Sequence, residues 1–150
     1  MKYHAMIFIV LLCVGCSGEN APGPMATRGY NHKLMKEAIE AAKAQLDDFI
    51  SAVESGDGEN FAIKESITTG HTREFIWLTD VKFEDGKFKG TVANTPTMLN
   101  GIQLGEQRTV EKAKVADWKY ENAGKTHGDF TLKILINSVP ENDRADYQTE

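Results

Sequence analysis

REFIWLTDVKFEDGKFKGTVANTP, Arg73 to Pro96, is the stretch that decides the fold. Phe75, Trp77, Thr79, Val81 and Phe83 recur at period two, the spacing of one face of a β-strand. Ile76 and Leu78 fall between them, so the start of this strand is expected to be covered on both sides. Asp85-Gly86 then separates Phe83 from Phe88. A tight hairpin turn needs positive φ at its centre, and Asp-Gly supplies it. The stretch therefore reads as a β-hairpin, with Lys87 to Val92 as the return strand and Pro96 as its stop.

Upstream, Asn31 is placed to cap a helix that runs to about Ser55. Leu34, Ala38, Ala42, Leu46, Phe49, Ile50 and Val53 recur mostly three and four apart, which is one amphipathic stripe. Gly56 is placed to end it. Lys33, Lys36, Glu40, Lys43, Asp47 and Glu54 form the solvated opposite face. Downstream, Phe61 to Glu65 and Glu106 to Val110 are short strand candidates, and Val115 to Tyr120 is a further ordered element. Asn122-Ala123-Gly124 is a turn. Phe130 to Ile136 is apolar but too short for its period to separate strand from helix. The sum is an α+β fold: an N-terminal amphipathic helix packed on a small antiparallel sheet or partly open barrel. It occupies residues 30–140, and the polar residues 141–150 are expected to fray.

Three blocks carry a resemblance: the hairpin stretch above, LGEQRTVEKAKVADWKY (Leu104 to Tyr120) and GKTHGDFTLKIL (Gly124 to Leu135). Together, over roughly Asn60 to Asn137, they resemble the YegJ-like bacterial domain of unknown function 2314. The most specific parts are Asp117-Trp118 and Gly128-x-Phe130-Thr131, and Lys133 stands where that family commonly has a basic residue. The resemblance implies a small domain, in many members behind a secretion signal. It brings no activity with it.

The first sixteen residues address the chain. Lys2 precedes an apolar run from Ala5 to Val14, which ends in Val14-Gly15-Cys16-Ser17. The run is shorter than the roughly 20 residues a spanning helix needs. It looks like a bacterial lipoprotein signal peptide, residues 1–15, with Gly15 as the small residue before the cut and Cys16 as the lipidated residue. Cys13 stands where such signals usually have Leu. Stable anchoring takes more than one acyl chain on Cys16. By resemblance to enterobacterial lipoproteins, Ser17 in place of Asp gives no inner-membrane retention, so the periplasmic face of the outer membrane is expected in a Gram-negative host. Residues 16–29 carry Gly18, Pro22, Gly23, Pro24 and Gly29 and read as a flexible tether.

Charge and cysteine use narrow the function. The chain has a net charge of −5, and loss of Lys2 with the signal leaves 16 basic against 22 acidic residues. That balance offers no footprint for nucleic acid or for anionic lipid headgroups. Cys13 leaves with the signal and Cys16 takes lipid, so the folded part has no disulfide frame. No cofactor fingerprint and no nucleophile frame occurs; the carboxylates Glu74, Asp80 and Asp117 form no more of a catalytic pair than any acidic domain offers. His32, His71 and His127 lack metal-ligand spacing, so no metal and no cofactor is expected. The alternative is a small-ligand, metal-binding or hydrolytic domain in which His71 and His127 meet beside Asp129 or Glu74.

Asp117-Trp118 is the constellation of interest. A buried carboxylate needs its acceptors filled, so Asp117 takes backbone N–H groups or the Lys133 ammonium, and Trp118 locks the sheet to the last element. Gly128 and Thr131 belong to the same structural motif. Alternatively Trp77, Trp118 and Tyr120 line a groove for a partner. The uncharged loop Asn94 to Gly105 carries Met98, Leu99, Ile102 and Leu104, which either plug the end of the fold or make a contact surface. The resulting expectation is a non-enzymatic envelope lipoprotein that binds an envelope protein or, in an immunity-type role, a toxin. Its contact residues would be Met98, Leu99, Ile102 and Trp118.

Overall fold

The structure, a computed structural model, describes residues 31–138. The signal at 1–15, the tether at 16–29 with Cys16, and the tail at 141–150 lie outside the described residues. Asn31 begins the helical part as its side chain requires. Its Oδ1 accepts from the N–H groups of Lys33 and Leu34, each at 3.1 Å, filling two of the donors a helix start leaves open. Helix α1 (His32–Ala44) follows. At Gln45 (φ −109°, ψ 14°) the chain breaks, and α2 (Leu46–Ser55) starts with Asp47 and Asp48 in the first turn. Carboxylates there complement the helix dipole. Gly56, at φ 68°, closes α2 in the left-handed region.

The single helix expected over Asn31 to Ser55 is thus two. The reason is packing: α1 lies against the fifth strand and the last helix, α2 against the second and fifth strands, and one straight rod cannot follow both. In α1 the buried stripe is Met35, Ala38 and Ala42, while Leu34 is 42% exposed.

The strands are β1 (Glu59–Thr69), β2 (Thr72–Glu84), β3 (Lys87–Val92), β4 (Gln107–Glu111), β5 (Val115–Asn122) and β6 (Lys125–Gly128), followed by α3 (Phe130–Ser138). They form one antiparallel sheet in the order β4-β3-β2-β1-β5-β6. Among the described residues neither β4 nor β6 is paired on its outer side, so the sheet is open rather than a barrel. Asp85 (φ 53°) and Gly86 (φ 76°) make the β2–β3 turn in the primed conformation the sequence calls for.

The expected face of β2 is corrected by a bulge. Asp80 adopts φ 53°, and the pairing with β3 slips between Thr79 and Lys82. The extra residue moves the alternation to the other side. Ile76 and Leu78 therefore share the core with Val81, with Phe83 packed against it, whereas Phe75 and Trp77 face the opposite side and Thr79 is exposed.

Phe49 of α2 organises the core. Its fully buried ring lies 5.2 Å from Trp118, 5.9 Å from Phe88, 6.0 Å from Phe61 and 6.1 Å from Tyr120. Truncating such a ring to Ala costs about 3–5 kcal/mol. Glu65, on the same side of the sheet, receives Arg108 through Nε at 3.0 Å and Nη2 at 3.3 Å. Gly90, the β3 partner of Arg108, sits where a Cβ would meet the Thr79 carbonyl at 2.9 Å and Leu78 Cβ at 3.1 Å.

Candidate functional site

Asp117 ties three elements together. It is 0% exposed. Its Oδ1 accepts from the N–H groups of Trp118 (2.8 Å) and Phe130 (3.2 Å). Its Oδ2 accepts from the Thr131 N–H (2.7 Å) and the Thr131 hydroxyl. Four donors fill a carboxylate, so no polar capacity is left for a substrate. Lys133, one of the expected partners, instead donates to the Gly128 carbonyl at 2.6 Å. The cation of this cluster is Lys64, whose Nζ donates to Thr131 Oγ1 and lies 4.6 Å from the Trp77 ring centroid. Burial pushes the Lys64 ammonium below its ordinary value, while Asp117 and Asp129 pull it back. Thr131 is only 2% exposed, so its hydroxyl cannot meet a substrate despite its lysine neighbour.

Trp118 belongs to the core. It is 4% exposed, and its Nε1 donates to the Ala42 carbonyl of α1 at 2.8 Å. It is therefore unavailable as a surface anchor, because the indole and its one donor are both occupied. Gly128 (φ 80°) packs so closely that a Cβ there would overlap the Trp118 carbonyl and ring.

The loop between β3 and β4 behaves differently. Glu74, on β2, accepts from the Thr97 N–H and hydroxyl through Oε1, and from the N–H groups of Met98 and Leu99 through Oε2, both at 3.1 Å. Partial desolvation raises the Glu74 carboxyl, but these donors outweigh it and hold it below its ordinary value. One carboxylate thus fixes the tip of the loop. Pro96 is buried, Leu99 and Ile102 are half-buried, and Met98 and Leu104 are 61% and 63% exposed. The loop is both plug and display: Ile102 packs on the core while Met98 points outward. Met98, Leu99 and Ile102 line one shallow depression together with Ile67 of β1.

Two larger grooves flank the sheet. One, of about 830 Å³, lies between α1 and the β1–β2 hairpin and includes His32, His71, Arg73 and Phe75. The other, of about 690 Å³, includes Asp80, Lys119, Tyr120 and Asp129. Asp129 Oδ1 is buried with no hydrogen-bond partner among the described residues. Desolvation, reinforced by Asp117, raises the Asp129 carboxyl above its ordinary value against the pull of nearby lysines. His127 stacks on Tyr120, ring centroids 4.8 Å apart, whereas His71 lines the first groove. Among the described residues no group of three His, Cys, Asp or Glu side chains is placed to hold a metal ion.

Lys64, the loop-pinning role of Glu74 and the Glu65–Arg108 pair escaped the sequence reading. Each depends on a partner 23 or more residues away.

The fold and this cluster define a small α+β protein with an open sheet, closed at one end by the Asp117–Thr131 lock. Residues 32–150 match the family described as uncharacterized protein conserved in bacteria (DUF2314), and the chain belongs to that family. It is 31% identical over 140 residues to the uncharacterized protein YegJ of Escherichia coli (strain K12), covering 93% of this chain and 92% of that one. Over 78 residues, 52% of this chain, it is 26% identical to a putative ankyrin repeat protein, NMB1133/NMB1171, of Neisseria meningitidis serogroup B. That match spans only 31% of the ankyrin repeat protein's length. No solved structure matches.

Proposed function

We propose that this chain is a lipid-anchored envelope protein that binds another protein through its β3–β4 loop. The observation that carries the reading is the Glu74 clamp. A carboxylate that fills itself with three loop N–H groups and a hydroxyl pre-orders an otherwise exposed apolar tip. Pre-ordering removes part of the entropy cost of association. An exposed Met on such a tip is the kind of adaptable side chain that protein contact surfaces use. The anchor rests on the sequence Val14-Gly15-Cys16-Ser17 and the apolar run before it. Within this reading the partner is an envelope protein or a toxin, and Met98, Leu99 and Ile102 carry the contact.

Two measurements test the two halves. Cells fed labelled palmitate should label the full chain and leave Cys16→Ser unlabelled; equal labelling of both, or of neither, removes the anchor. Met98→Asp with Leu99→Asp should abolish association with the partner at unchanged melting temperature. Undiminished association of the folded double variant removes the loop contact.

A further inference from the structure

The groove between α1 and the β1–β2 hairpin carries an inference independent of the loop contact. Its volume, about 830 Å³, falls within the roughly 300–1,000 Å³ of small-molecule sites. Met35, Ile39 and Phe75 supply its apolar part. Phe75 belongs to the sheet face opposite the Phe49 core, since it pairs with Ser66, next to Lys64 and Trp77 in the same parity. Lys36, Lys43 and Arg73 stand around it, with Glu40 the single carboxylate among its lining residues. In a chain of net charge −5 this is a local reversal of sign.

The basic residues of the groove differ in their partners. Lys36 meets Glu40 at 3.8 Å. Lys33, Lys87, Lys89, Arg108 and Lys112 are likewise in ion pairs. Lys43 and Arg73 have no carboxylate within ion-pair distance among the described residues, as is also true of Lys82, Lys114, Lys119 and Lys125. An unpaired guanidinium beside an apolar trough is suited to a carboxylate, because its planar fork matches the two oxygens. The acidic surroundings disfavour a polyanion such as nucleic acid, so the fitting ligand is small and carries few charges.

We propose that this groove binds a single-chain anionic amphiphile of the fatty-acid class. The carboxylate meets the basic residues of the groove, Arg73 and Lys43 among them, and the alkyl chain follows Met35, Ile39 and Phe75. Each methylene taken from water adds about fourfold in affinity, so the chain supplies most of the binding and the head supplies selection.

The test titrates the full chain with decanoate, decanol and acetate by isothermal calorimetry. Decanoate is expected to bind one to one, at least about tenfold tighter than decanol or acetate, as a charge-assisted contact warrants. Arg73→Gln with Lys43→Gln, both exposed positions, should weaken decanoate by about tenfold or more and leave decanol unchanged. Ile39→Asn should weaken decanoate and leave acetate unchanged. The proposal is overturned if decanoate binds no tighter than decanol, if acetate matches decanoate, or if the folded double variant keeps full decanoate affinity.

Discussion

Asp117 and Thr131 meet through two hydrogen bonds to one oxygen: the Thr131 N–H and hydroxyl both donate to Asp117 Oδ2. The same hydroxyl accepts from Lys64, so β1, β5 and α3 close on a single side chain. Thr131 is the one fully buried residue of α3, and Phe130 beside it packs half-buried on the Trp118 ring, so the polar junction and an aromatic contact dock the helix together.

Removing the carboxylate should therefore be expensive. Asp117→Ala leaves buried N–H groups without their acceptor and removes a negative charge that faces the buried Lys64 ammonium. A loss of about 3–5 kcal/mol in urea unfolding is expected. Thr131→Val, which removes only the relay hydroxyl, should lose about 1–3 kcal/mol. Equal and small losses for both would mean that water takes over the junction.

Gly128→Ala tests the close approach to Trp118. The substitution forces an L side chain into φ 80° and into the Trp118 carbonyl and ring. A destabilisation of at least about 2 kcal/mol is expected. Gly86→Ala, strained by φ 76° but open to space, should lose less.

Glu74→Ala should free the loop without unfolding the sheet. The Thr97, Met98 and Leu99 amides should then exchange with solvent much faster, while the β1–β2 ladder stays protected. The effect on global stability should stay below about 1 kcal/mol, since the clamp is largely solvent-accessible. Acid should mimic the variant. With its folded value below the unfolded one, Glu74 stabilises the loop above the unfolded value, and that contribution is lost as pH falls through the folded one. Amide exchange followed from pH 7 downward measures it.

Asp129 has the opposite sign. Its folded carboxyl titrates above the unfolded value of 3.8, so its contribution is present below 3.8 and is lost as pH rises through the folded value. Asp129→Asn keeps a side chain that tolerates the φ of 59° there and abolishes the charge. The variant should equal the parent near pH 3 and exceed it in melting temperature at pH 7. A variant less stable at pH 7 would show that the ionised carboxylate is satisfied in the native state.

The hairpin was legible because its signals are local. Period-two alternation, Asp85-Gly86 and Asn122-Ala123-Gly124 each fix backbone conformation within a few residues. The bulge at Asp80 was not, since an extra residue leaves the apolar spacing of β2 readable on either face, and an Asp that tolerates positive φ is equally at home on a surface. Phe130 to Ile136 became helical through Asp117 receiving its first two N–H groups, a partner more than ten residues away. Nothing in the short run Phe61 to Glu65 signals that Lys64 is buried; its burial comes with α3, whose Thr131 accepts from it. The site-forming contacts of Glu74 cross the loop, and loop conformation has no period to read.

The central claim is that the Glu74-pinned loop touches a protein partner in the envelope. The most direct measurement places a photo-crosslinking side chain at Met98 of the full chain in living cells, with Glu84, an exposed residue next to the β2–β3 turn, as the comparison position. The account predicts one discrete protein adduct from position 98, absent from position 84 and lost when Glu74→Ala is added. No adduct at 98, or the same adducts from both positions, would contradict it.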